Sequence, residues 1–328
     1  MIPTPTPNAA GASPGASGRV GPTLNPPAPP TESTVALTAP GYRPRAGGGR
    51  DRAKRRVRTT ILHVVLITAG ILMIYPFIWM LVTSFKGLPQ LLNHPLSFWP
   101  SPWVPQNYLD AWNDAPFAQA YVNSIYIAVL VVIGTLITAA MAGYAFARIK
   151  FRGARVMFIV FLATQMIPMQ VTLIPFYLLM AKFGWVNSHL ALIIPASLAN
   201  PFAVFLMRQF VLSLPSELEE AALVDGAGRW RIFWSIVLPN LRPALGSLAI
   251  IVALGTWNNF LLPLVILNSQ DLFTVPLLLQ SFQGQFGSVN YGLIMAASAV
   301  STIPMLIAFV IGQRQILNSM AASGLGGR

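Results

Sequence analysis

Cysteine is absent from the 328 residues, which excludes disulfides and thiolate metal sites and leaves the redox compartment unread. Charge is scarce too. Asp, Glu, Lys and Arg make up 9% of the chain, where a soluble domain carries about a quarter. So little polar surface cannot cover a water-soluble globule, which argues against a soluble enzyme. None of the nine acidic residues lies inside an apolar run, which argues against proton coupling through a buried carboxylate. The only lysines are Lys54, Lys86, Lys150 and Lys182, and none follows a glycine. A phosphate-cradling loop needs that pair, so ATP hydrolysis by this chain is excluded. His63, His94 and His189 share no metal-ligand spacing, and no metal site is expected.

What is present is apolar: 55% of the residues are hydrophobic. Residues 1–49 stand apart, with 11 of the 28 prolines and 8 of the 25 glycines. That composition cannot bury enough apolar surface to offset ordering, so a disordered segment is expected, without the apolar core of a signal peptide. A basic cluster follows (Arg50, Arg52, Lys54, Arg55, Arg56 and Arg58), placed directly before a long apolar run as a cytoplasmic anchor would be.

A membrane-spanning helix needs about 20 mostly apolar residues. Uncharged intervals of that kind predict six helices near 61–83, 121–145, 156–180, 188–208, 244–267 and 290–312. The interval 87–109 is long enough but carries five prolines and several amides, a backbone that lipid cannot satisfy. Nineteen of the 21 basic residues fall on one side of this arrangement, with Lys86 and Lys182 on the other. The net charge of +12 therefore reads as membrane topology, with both termini cytoplasmic, and not as a nucleic-acid footprint. The expected division is 1–59, a six-helix domain over 60–312 with a connection at 213–242, and a tail over 313–328.

The connection carries the most specific signal. Pro215 ends one helix, and Ser216 with Glu219 forms an S-x-x-E pattern expected to cap the next. Ala221 and Ala222 are small enough for close approach, and Asp225-Gly226 marks a turn in which glycine can take positive φ. Residues 216–225 hold four acids and no base. Anionic lipid would repel such a helix, so a protein-docking element is favoured over one lying on headgroups.

Glu220-Ala221-Ala222, Asp225-Gly226-Ala227, Leu238-Pro239 and Pro243 resemble the EAA signature of ABC importer permeases. The likeness is to carbohydrate-importer permeases of the maltose-permease G-subunit type and covers about 60–328. It extends through Tyr75 to Met80, Ala142 to Arg148, Met166-Ile167-Pro168 and Trp257-Asn258-x-Phe260-x-x-Pro263. The resemblance implies an all-α, type I importer permease with six transmembrane helices in the bacterial inner membrane. It implies a cytosolic ABC ATPase dimer, a second homologous permease chain and an extracytoplasmic solute-binding protein as partners. No cofactor is implied for this chain, because ATP and magnesium would be bound by the ATPase. Glu219, Glu220, Ala221, Ala222, Asp225, Gly226, Ala227 and Pro239 would couple to that ATPase.

Trp257, Asn258 and Asn259 are candidates for the substrate path, since two carboxamides in an apolar helix need partners. Those partners are either a neighbouring helix or sugar hydroxyls. The family often places an acid where Asn259 stands, so no charge-dependent role is carried over. Gln313 and Arg314 match the start of a family tail that contacts the ATPase, although Gln315-Ile316 replaces the usual aromatic pair, and a frayed terminus is the alternative. A stand-alone facilitator without an ATPase is the competing function.

Overall fold

The computed structural model describes residues 49–198, 200–282 and 290–325, with side chains from 54 to 313 within those ranges. The segment 1–48 lies outside them. Among the described residues the regular structure is helical, apart from an isolated antiparallel bridge between Lys86 and Trp103.

α1 (Gly49–Thr83) is continuous, so the basic cluster and the first apolar run share one helix. The proline-rich interval after it forms only two short helices, α2 (Leu88–Asn93) and α3 (Gln106–Asn113), as its broken backbone predicts. Lys86 is fully buried beneath them, and its Nζ donates to Ser97 O at 2.5 Å and sits 4.5 Å above the Trp79 ring. Burial pushes its pKa below the ordinary lysine value.

α4 (Phe117–Arg148) is the central element, with eleven buried residues along one side. The next expected helix, 156–180, is not one straight element. α5 (Ala154–Ala163) passes through a 3₁₀ turn at Thr164–Met166, and α6 (Met169–Lys182) leaves at 102°. Pro168 has no N–H to continue the ladder, and the residue before it is driven out of the helical region. The stretch 188–208 holds α7 (Leu190–Leu198) and α8 (Pro201–Ser213), with Asn200 extended ahead of α8. Asn200 caps α8 by accepting from Ala203 N at 3.0 Å, with Pro201 at the first position, where its missing N–H costs nothing.

The connection expected at 213–242 is built of α9 (Glu217–Val224), α10 (Arg229–Ile232), a π-helical turn at Phe233–Val237, and α11 (Leu238–Asn240). α12 (Arg242–Trp257), α13 (Leu261–Ile266), α14 (Val275–Ser281) and α15 (Tyr291–Leu325) complete the chain. Among the described residues four stretches are long and apolar enough to cross a membrane, or six if each of two bent pairs, 154–166 with 169–182 and 229–240 with 242–257, is one span.

α4 packs against α7, α8 and α12. A Cβ on Gly143 would stand 2.7 Å from Met207 Cβ and 2.8 Å from Arg208 N, so α4 and α8 meet backbone to backbone. The end where α4 begins is tied by polar side chains. Asn123 Nδ2 donates to Asp271 O and Phe273 O, at 2.8 and 3.0 Å, and Ser124 Oγ accepts from Val275 N. Tyr126 hydrogen-bonds His189, whose Nε2 meets Leu272 O at 2.7 Å.

A candidate docking surface between α8 and α12

α8 stops because Leu214, preceding Pro215, takes an extended conformation. Ser216 then opens α9 with helical dihedrals, and its side chain makes no capping bond. The expected capping box is therefore not formed. Glu219 points the other way, only 5% exposed, with Oε1 2.8 Å from Arg148 Nε and its other oxygen 3.4 Å from Tyr144 OH. A charge-assisted bond to a guanidinium is stronger than one to a backbone amide, which decides where the carboxylate goes.

Arg148 does more than neutralise Glu219. Its Nη2 donates to Val211 O at 3.1 Å and Leu214 O at 2.5 Å, carbonyls that the end of α8 leaves open. One guanidinium thus fastens the last turn of α4 to both α8 and α9. The sequence placed Arg148 only in an orientation count and a family stretch. The usable signal was a cation closing an apolar helix opposite an acid-rich one.

With Glu219 turned inward, the outer face of α9 presents Glu217, Glu220, Ala221 and Asp225, and Val224 is 88% exposed. Ala222 faces inward and packs on a small core of Ala140, Tyr144, Val211, Ile232, Phe233, Val237 and Leu241. Gly226 has φ +80. Its N–H bonds Leu223 O at 3.0 Å and Ala227 N bonds Ala222 O at 2.9 Å, the paired closure of a Schellman motif. A Cβ at Gly226 would meet nothing within 4 Å, so the dihedral and not space requires glycine.

The return strand of the connection is helical as well. Pro239 offers no N–H to the preceding turn, and the backbone just before it widens into the π-helical turn. Pro239 itself is half-buried and lines an apolar groove of about 370 Å³ with Ile137, Met141, Phe233 and Trp234. Trp230 and Trp234 stand exposed beside it, at 63% and 51%.

Trp257, Asn258 and Asn259 do not sit inside an apolar helix as expected. α12 ends at Trp257, and a break precedes α13. The break itself supplies partners for the amides. Asn258 Nδ2 donates to Leu254 O at 2.9 Å, and Asn259 Oδ1 accepts from Leu262 N at 3.4 Å. Trp257 is 7% exposed and packs edge-on against Tyr121, at 5.8 Å between ring centroids, in a cluster with Phe117, Val275 and Leu278. Asn258 alone of the three is exposed. Gln313 lies within α15, which runs on to Leu325, so the tail begins as helix and not as a frayed end. The Arg314 side chain lies outside the described residues.

A family described as the inner membrane component of binding-protein-dependent transport systems matches residues 134–321, a range that contains the whole connection. The chain belongs to this family. The permease is 35% identical over 80% of its length to the diacetylchitobiose uptake system permease protein NgcG of Streptomyces coelicolor, covering 87% of that protein. It is 34% identical over 85% of its length to the trehalose/maltose transport system permease protein MalG of Thermococcus litoralis, covering 99%. A bacterial ABC transporter involved in the import of the acidic polysaccharide alginate has a chain of the same fold, with TM-score 0.71 and 23% identity. That match covers 80% of this permease and 97% of the alginate chain. This permease is a transport subunit and belongs to a membrane.

Proposed function

We propose that the permease is one of two membrane-spanning subunits of an ATP-driven importer for a sugar or oligosaccharide. Relatives named for diacetylchitobiose and for trehalose/maltose support the substrate class. It crosses the membrane six times, with the bent pair α5–α6 counting once and α12 with α13 forming the fifth span, and both termini are in the cytoplasm. Nineteen of 21 basic residues on one side support that orientation. Its partners are a second permease chain, a cytosolic ATPase dimer that binds ATP and magnesium, and an external solute-binding protein.

The observation that carries this reading is α9. It is an acidic helix held from behind by Arg148, closed by Gly226, and free on its outer face. Glu220, Ala221, Asp225 and Gly226 form the docking face for the ATPase. Glu219, Ala222, Ala227 and Pro239 shape it from beneath. Gln313 and Arg314 lie on α15 and form a second contact for the same partner. At the other proposed site, Asn258 lines the substrate path at the break after α12, and Trp257 supports it from the core.

The test is gentle purification of a tagged chain from its own membranes, with identification of what accompanies it. An ATPase and a second permease are expected. An ATPase alone would make the pore homodimeric, and a folded, monodisperse chain with neither would return the stand-alone facilitator.

A further inference from the structure

A second charged site lies at the α4–α5 corner and has the opposite sign to α9. A cavity of about 980 Å³ opens there, lined by Lys150, Arg152, Arg155 and Arg208 together with Phe146, Phe151 and Phe158. Among the described residues no acidic side chain lines it. Arg148, at its edge, is already committed to Glu219, and that is the only ion pair among the described residues. The remaining four cations therefore share one cavity with no carboxylate to offset their repulsion.

One of the four is held in place. Arg208 reaches across from α8, donating its Nε–H to Phe146 O at 3.3 Å, with its guanidinium 4.6 Å over the Phe158 ring. Those contacts fix the guanidinium and leave its two amino groups uncommitted among the described residues. Arg155 stands in the first turn of α5, where the helix carries partial positive charge and where no acid is present. Lys150, Arg152 and Arg155 are exposed, so water screens their mutual repulsion, and an anion entering the cavity would meet four cations at once.

The apolar part of the cavity narrows which anion. Phe146 lies 5.8 Å from Phe151 and 5.4 Å from Phe158 between ring centroids, a continuous aromatic floor. Beyond it α5 exposes Val156, Met157, Ile159 and Val160, each more than half exposed. A free inorganic anion has no use for that strip, whereas a lipid carries an anionic head joined to an apolar chain. We propose that this corner binds the phosphate headgroup of an anionic phospholipid, with an acyl chain laid along α5. The inference rests on the membrane placement of the family and not on the identity of the transported solute.

The test uses the full chain, with whatever subunits accompany it, in nonionic detergent. Retained lipid is counted by native mass spectrometry after adding dioleoylphosphatidylglycerol or dioleoylphosphatidylcholine. The anionic lipid is expected to be retained in preference to the zwitterionic one. Each basic residue near such a headgroup is worth about fivefold in binding, so the triple variant Lys150→Gln, Arg152→Gln, Arg155→Gln should weaken retention roughly a hundredfold. Arg208→Gln alone should weaken it about fivefold. Lys182→Gln, Arg229→Gln, Arg231→Gln removes the same charge elsewhere and should leave retention unchanged. Equal loss in both triple variants would reduce the effect to net charge and overturn the site. Displacement of the lipid by an equal concentration of inorganic phosphate would make it a free-phosphate site instead. Retention only in preparations without the ATPase would assign the corner to protein contact. None of these readouts requires ATP or sugar, so the lipid site can fail while import stands, and the reverse.

Discussion

The connection around α9 and the break between α12 and α13 both interrupt helices with polar residues, and they dispose of them in opposite ways. At the break, Asn258 and Asn259 spend their amides on the backbone within four residues, leaving little for a distant partner. At α9, one carboxylate is anchored through a guanidinium 71 residues away in sequence, and the other acids stand exposed on the outer face, without an ion pair among the described residues. A local solution makes a bend. A long-range anchor makes a rigid surface on which uncommitted charge can be offered to another molecule.

The contrast is broken most severely by attacking the surface. Gly226→Pro imposes φ near −65° where +80 is required. ATP-driven uptake should fall to background while the chain stays in the membrane at normal level, and normal uptake would remove α9 from coupling. Glu220→Ala should cut uptake with no loss of thermal stability, since its carboxylate is exposed.

Next come the two buried anchors. Arg148→Ala strands the Glu219 carboxylate and two carbonyls and should cost about 3–5 kcal/mol, read as a lowered unfolding midpoint in detergent. Combining it with Glu219→Leu should recover part of that loss; strict additivity would mean the pair is not coupled. Trp257→Ala should cost a comparable amount, about 3–5 kcal/mol, through its packing on Tyr121. Trp257→Phe sharpens the comparison: uptake close to wild type fits a core ring, whereas a large loss at unchanged stability would put the indole on the sugar.

The smallest effect belongs to Asn258→Ala. Loss of one exposed local hydrogen bond should shift stability by at most about 1 kcal/mol, so any large drop in uptake would be a direct sign of the substrate path.

The length of uncharged runs and the distribution of charge made the apolar segments and the connection legible in the sequence, because burial in lipid leaves long uncharged runs. The turn at Gly226 was legible for a local reason, since two adjacent residues specify it. What escaped were effects of distant partners and of prolines whose consequence depends on packing. The S-x-x-E pattern at Ser216 and Glu219 is locally a cap, and only the approach of Arg148 turns the carboxylate away. Pro168 bends its span by 102°. Pro195 and Pro304 lie inside helices that continue through them. Trp257 looked like a binding ring because its neighbours Tyr121 and Phe117 are more than 130 residues away in sequence.

Gly143 sets how force can travel. With no side chain separating α4 from α8 there, and with Arg148 bolting their ends together one turn later, the two helices form a single beam with α9 fixed across its tip. A push on α9 cannot be absorbed by sliding within that beam. It must tilt the whole assembly, so compliance has to reside where the backbone is already interrupted: at Asn200, at Ile167-Pro168, and between Asn258 and Phe260. Stiffening those joints should arrest the machine even when every contact at the tip is intact.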